Sequence, residues 1–227
     1  MATSTPKMDH MKQARNIIGG LGNLMFIKAY LIAQMMDGEI PDTYIQQYSR
    51  WNKYKDIVKS TFMEDIVPGS VNKVSLHIRR GDYLNKKNFY VDLTETDYYQ
   101  NAVKWMDDHW MSNAIGGWDG HTFAEPPTYL VFCKDNQGWK QDKADRQWCR
   151  DFLDTFIPGR YEFVSKNNLE HEDMNLMASC KAHIGANSSF SWFACFLGGG
   201  ITVMPQAWFV SSAVAQPVEM LSAWELI

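Results

Sequence analysis

The stretch Lys73-Val74-Ser75-Leu76-His77-Ile78-Arg79-Arg80-Gly81-Asp82-Tyr83 decides the fold. Val74, Leu76 and Ile78 alternate with Ser75, His77 and Arg79, the two-residue period of a strand, and Gly81 ends it in a turn. Downstream, short apolar runs at 129–133, 161–164, 183–186 and 201–204 predict further strands. Between them lie helical patterns. One covers 97–110, with Tyr99, Val103, Met106 and Trp110 on one stripe, and others cover 143–156, 172–180 and 190–197. Strands alternating with helices predict a parallel sheet covered on both faces. Residues 73–227 therefore read as one doubly wound, Rossmann-like α/β domain, with ligands expected beyond the carboxyl ends of its strands.

Upstream the order is looser. Residues 1–12 read as a leader, Ile17-Ile18 as a short strand, Gly19-Gly20-Leu21-Gly22-Asn23 as a turn, and 24–36 as an apolar helix. Residues 40–70 are polar and aromatic and predict one or two short helices, and the Gly- and Pro-rich segment 112–127 predicts a loop. Residues 1–72 are thus expected to form a smaller N-terminal lobe.

Composition narrows the function. The chain has 227 residues, 45% hydrophobic and 21% charged, with net charge -4, so it offers no global field to nucleic acid or anionic membrane. Any phosphate must be met by local cations and backbone donors. Cys133, Cys149, Cys180 and Cys195 form no C-x-x-C pair, which argues against a zinc or dithiol centre. No apolar stretch reaches the ~20 residues of a membrane span. The polar start at 1–9 has no apolar signal region, so a cytoplasmic location is expected. That expectation also undercuts glycosylation at Asn187-Ser188-Ser189 and adhesion through Arg80-Gly81-Asp82.

Two constellations carry chemistry. In the first, alternation puts His77 and Arg79 on one face, with Arg79 at the strand's carboxyl end, where a guanidinium can bind a diphosphate through two parallel hydrogen bonds. The alternative is a solvated strand end with an Arg80–Asp82 ion pair. In the second, a strand meets Asn187-Ser188-Ser189-Phe190 and then an apolar helix. A serine there caps the helix, and the free N–H groups of its first turn make an anion site. The alternative is a capped core helix without a ligand. Asp107-Asp108-His109 has the look of a metal motif but falls on the predicted amphipathic helix and reads as a solvated face.

Taken together, the segments resemble the α-1,2-fucosyltransferase family, glycosyltransferase family 11. The family's Gly-Gly-Leu-Gly-Asn-Gln-Met-Phe is similar to residues 19–26, its His-x-Arg-Arg-Gly-Asp-Tyr to 77–83, and its Asn-Ser-Ser-Phe-Ser-Trp-Trp to 187–193, with Phe193 in the last place. The lead-in Glu-Asp-x-x-Leu-Met-Ser-x-Cys resembles 172–180, and a late Pro-x-x-Trp resembles Pro205 to Trp208. The resemblance implies a GT-B-like enzyme with an acceptor lobe, a donor lobe and a cleft between them. It also implies inverting transfer of fucose from GDP-fucose to a glycan hydroxyl, an α-1,2 linkage to a terminal galactoside, and no required metal or other cofactor. By resemblance, Arg79 takes the β-phosphate and His77 lies near the nucleotide. Asn187, Ser188, Ser189 and Phe190 line the diphosphate and fucose, and Gly20, Gly22 and Asn23 face the cleft from the other lobe. Asp135, in Phe132-Cys133-Lys134-Asp135, stands where relatives carry a nucleotide contact.

The departures are specific. Leu24 replaces a glutamine, which is expected to remove a polar group from the cleft. Only about 50 residues separate the glycine turn from the His-x-Arg motif, against the ~100 of a complete Rossmann-like lobe. The acceptor side is therefore reduced, and is expected either to be rebuilt by homodimerisation or to be impaired. In the transfer reaction, Arg79 and the helix start at Ser189 would take the charge of the leaving diphosphate. Asp82 is the nearest candidate for a general base, with fixing an arginine or capping the turn as its other reading. The rival to transfer is a degenerate protein that binds a GDP-sugar without turnover.

Overall fold

The computed structural model describes residues 20–37, 47–111, 125–133, 139–210 and 218–227. Six strands form one sheet: β1 (Val71–His77), β2 (Tyr129–Phe132), β3 (Tyr161–Phe163), β4 (Cys180–Ile184), β5 (Ile201–Met204) and β6 (Glu225–Leu226). Their order is β3-β2-β1-β4-β5-β6 and every pairing is parallel. The chain builds outward from β1 to β3, then returns to the other side of β1 to start β4. That reversal opens a crevice at the carboxyl ends of β1 and β4, the ligand position of a doubly wound sheet.

Among the described residues six helices cover the sheet: α1 (Leu21–Asp37), α2 (Lys55–Phe62), α3 (Tyr98–Met111), α4 (Trp139–Leu153), α5 (Glu170–Ala178) and α6 (Ser189–Gly198). On one face Val74, Leu76, Ile78, Val131, Ile184 and Val203 pack against Tyr99, Val103 and Met106 of α3 and against Cys149 and Leu153 of α4. The opposite face, with Leu130, Phe132 and Met204, carries α1, α2, α5 and α6. Burial on both sides explains why the strands read as apolar runs. One polar row interrupts the second face. Ser75, His183 and Thr202 lie in register across β1, β4 and β5, all buried, with Ser75 Oγ 2.8 Å from His183 Nδ1.

The described N-terminal residues, expected as a lobe of their own, share a core with the sheet. Phe26 of α1 lies 4.7 Å from Trp192 and 4.8 Å from Phe193 of α6, and Trp51 stacks on Phe193 at 6.0 Å. All four rings are fully buried. Their physical cause is α6, whose Ser-Phe-Ser-Trp-Phe-Ala-Cys-Phe-Leu sequence is too apolar to face water and needs a second layer over it. A boundary at 72/73 also falls inside β1.

Local differences have local reasons. The glycine turn is itself the first turn of α1, because the Gly20 carbonyl accepts from the N–H groups of Asn23 and Leu24. β4 begins at Cys180, since Ser179 closes α5 and its carbonyl accepts from Val71 N–H at 2.9 Å. β6, two exposed residues, has no periodicity to read. Ile17-Ile18 and most of 112–127 lie outside the described residues.

Candidate active site

At the β1/β4 crevice lies a cleft of about 450 Å³. Most of the residues the sequence singled out meet there: Gly20, Gly22 and Asn23 from the start of α1, His77, Arg79 and Asp82 from the end of β1, and Ser188, Ser189 and Phe190 from the start of α6. Asn187 does not join them. Its amide nitrogen donates to the carbonyls of Val91 at 2.8 Å and Trp208 at 3.2 Å, so it ties the 187–190 corner to two neighbouring segments. Asp135 lies outside the described residues. Leu24 does not line the cleft. One residue past Asn23 the helix has turned, and the side chain is exposed, so its loss of polarity does not reach the site.

The two helix starts touch. A Cβ on Gly22 would collide with the backbone of Ser189 and Phe190, so only glycine lets α1 and α6 approach this closely. The first turns of both helices therefore open on one cleft, and each leaves N–H groups without intrahelical partners. Ser188 is the N-cap of α6, its Oγ accepting from Phe190 N–H at 3.3 Å. Ser191 stiffens the corner by accepting from Ala186 N–H at 3.1 Å and donating to the Ser188 carbonyl at 3.1 Å.

Strand alternation separates the two arginines. Arg80 points to the α3/α4 face, where it stacks 3.6 Å above the Trp148 ring and its Nε lies 3.2 Å from Asp145 Oδ1. The Arg80–Asp82 pair of the alternative reading is not formed. Asp82 instead pairs with Arg79, and its other oxygen accepts from Lys86 Nζ at 3.2 Å. Arg79 leans over the Tyr83 ring at 5.0 Å, and Tyr83 is held by donating its hydroxyl to the Asn187 carbonyl at 2.9 Å and by stacking on Tyr90 at 4.0 Å. Burial raises the Tyr83 pKa well above its usual value, so the phenol stays a neutral donor.

His77 is buried beside Phe190, ring centroids 5.6 Å apart. Burial first, and the Arg79 charge second, pull its pKa down from 6.5 to about 3, so the imidazole is neutral at physiological pH. Its Nδ1 has no hydrogen-bond partner among the described residues.

Sequence reasoning missed part of the wall. Lys86 and Tyr90 follow the motif on a turn without periodicity, and Glu170 and Asp173 come from the first turn of α5. Asp173 stood inside the quoted lead-in, so the signal was present without a position to attach it to. Asp107-Asp108-His109 is away from the cleft. Asp107 receives both guanidinium nitrogens of Arg160 at 2.9 and 2.7 Å, Asp108 pairs with Lys104, and His109 stacks on Trp105 at 3.5 Å. Asp107 thus ties α3 to the start of β3, while the Asp108–Lys104 pair lies exposed along the helix, as the solvated-face reading expects. Among the described residues no group of three or more His, Cys, Asp or Glu is placed to hold a metal ion, and no helix is long and apolar enough to cross a membrane.

A cleft at the topological switch point, with a strand-end arginine and two helix starts, is suited to an anionic ligand. Residues 143–226 match the family described as Glycosyl transferase family 11, so the resemblance read from the motifs is shown. Two curated relatives from Escherichia coli are similar to the chain. One, named O-antigen biosynthesis glycosyltransferase WbnK, is 25% identical over 201 residues, covering 79% of this chain and 58% of that protein. The other, named Alpha-1,2-colitosyltransferase, is 30% identical over 145 residues, covering 61% of this chain and 41% of that protein. The chain spans about half the length of these relatives. No solved structure matches it.

Proposed function

We propose that the chain is the donor-binding part of a GT-B-like, inverting glycosyltransferase that moves L-fucose from GDP-fucose to a terminal galactoside hydroxyl in α-1,2 linkage. The observation that carries this reading is the convergence of Arg79 with the first turns of α1 and α6 on one cleft at the sheet's switch point. The α-1,2 linkage is favoured by the name of the colitosyltransferase relative.

The chemistry follows from charge. As the anomeric C–O bond to phosphate breaks, its electron pair leaves with GDP and positive charge develops on the sugar. Arg79 and the free N–H groups at the two helix starts are fixed in advance and strengthen their hold as the diphosphate gains charge. They supply a role that a metal fills in other transferases, so the reaction is expected to proceed without one. The acceptor oxygen forms the new bond from the opposite face and its proton passes to a carboxylate, for which Asp82 is the candidate once donor binding has freed it from Arg79. Neutral His77 lies beneath the site as a hydrogen-bonding group rather than a charge.

The test is incubation with GDP-fucose and a terminal β-galactoside in EDTA, following GDP and fucosylated product. Product in EDTA is the expected result. Loss of product on chelation contradicts the metal-free step. GDP-fucose binding without turnover, with or without acceptor, favours a sugar-nucleotide-binding protein, the second reading that the chain's partial coverage of its relatives brings forward.

A further inference from the structure

Asp82 occupies an unusual position for a group in an anion site. One carboxylate oxygen pairs with Arg79 Nη2 and the other lies 3.2 Å from Lys86 Nζ, and all three side chains line the cleft. Two oxygens on one carbon, each facing a cation, repeat the pattern that two non-bridging oxygens of a phosphate would present. We propose that Asp82 is a resident stand-in for the donor's phosphate, displaced when the donor binds, and that Lys86 is a second phosphate-binding cation beside Arg79. This rests on the nucleotide-sugar reading above and deepens it.

The alternative is that Asp82 serves to position Arg79. The geometry makes that service unnecessary. Arg79 already lies over the Tyr83 ring, and Tyr83 is fixed by the Asn187 carbonyl on one side and Tyr90 stacking on the other. Asp82 is one residue into the short turn Gly81–Asn85, with its side chain 33% exposed, so it can swing out by side-chain rotation alone. If it stayed in place, its charge would oppose the incoming diphosphate within a few ångströms. Lys86, 53% exposed and held by no other ion pair among the described residues, is free to change partner from carboxylate to phosphate without burying a charge.

The experiment is calorimetric titration of the full chain with GDP and, separately, with inorganic pyrophosphate, on wild type, Asp82→Asn and Lys86→Met, with circular dichroism to confirm that each variant is folded. Asp82→Asn is expected to tighten both ligands, and Lys86→Met to weaken both, each by roughly three- to tenfold. Unchanged or weaker binding by Asp82→Asn overturns the stand-in, because a positioning role predicts loss. Unchanged binding by Lys86→Met overturns the second cation. If wild type binds pyrophosphate but not GDP, the nucleotide reading fails while the pyrophosphate arm still decides the stand-in. If it binds neither, both fail.

Discussion

Arg79 and Arg80 are adjacent in the chain and live in different parts of the molecule. Arg80 is turned into the α3/α4 layer, sandwiched on Trp148 and paired with a carboxylate whose side chain is 2% exposed. Arg79 is turned into the cleft, propped on a tyrosine, with a carboxylate partner that shares itself with Lys86. The lesson is that charge at a strand end is not by itself a ligand signal. What sets Arg79 apart is that its partners leave it lining a cleft, whereas those of Arg80 enclose it.

Three measurements would break or sharpen this contrast. The largest effect is expected from Arg79→Ala. It should lower GDP affinity and transfer by at least about a hundredfold, since a charge-assisted, paired contact to phosphate is lost, while the melting temperature stays within a few degrees of wild type. A variant that still binds GDP normally would remove this guanidinium from the mechanism. Arg80→Ala should do the reverse. It takes a buried ion-pair partner and a cation–π contact out of the α4 interface, costing about 2–4 kcal/mol in chemical denaturation, with GDP affinity of the folded fraction near that of wild type. Equal effects of the two variants on binding would erase the distinction.

The effect smallest per step is a pH dependence, modest per pH unit, shared by the two buried histidines. His77 is held at about 3 and His183 at about 4, in both cases chiefly by burial. Their folded values lie below the unfolded 6.5, so the stability they contribute is complete above pH 6.5 and is lost as pH falls toward 4 and then 3. Each should lower unfolding free energy by on the order of 1 kcal/mol per pH unit within its window. His183→Gln should flatten that slope without touching the cleft, and an unchanged slope would mean the ring is not titrating as its burial implies.

Much of the sheet was legible because both of its faces are buried. Val74, Leu76 and Ile78, and the runs that became β2 and β5, had no choice but to be apolar. The cleft was legible where a residue type has few other uses, as at Gly22, Arg79 and the Ser188 cap. Asn187 could not be placed from its type alone, because a carboxamide suits a ligand and a backbone carbonyl equally well, and here two carbonyls accept from it. Lys86, Tyr90, Glu170 and Asp173 reach the cleft only through the strand order, which no local pattern encodes. The separate N-terminal lobe was expected because the regular alternation of strands and helices starts only at residue 73. Alternation does not say which helix will cover an aromatic surface, and here Phe26 and Trp51 pack on α6.

That shared aromatic layer limits how the molecule can be taken apart. A fragment starting near residue 73 would keep every strand but one end of β1, yet would bare the rings of Trp192, Phe193 and Phe196 to solvent. Such an excised piece should aggregate rather than serve as a portable nucleotide-binding module. Transplanting the site into another scaffold therefore means carrying the first helix along with it.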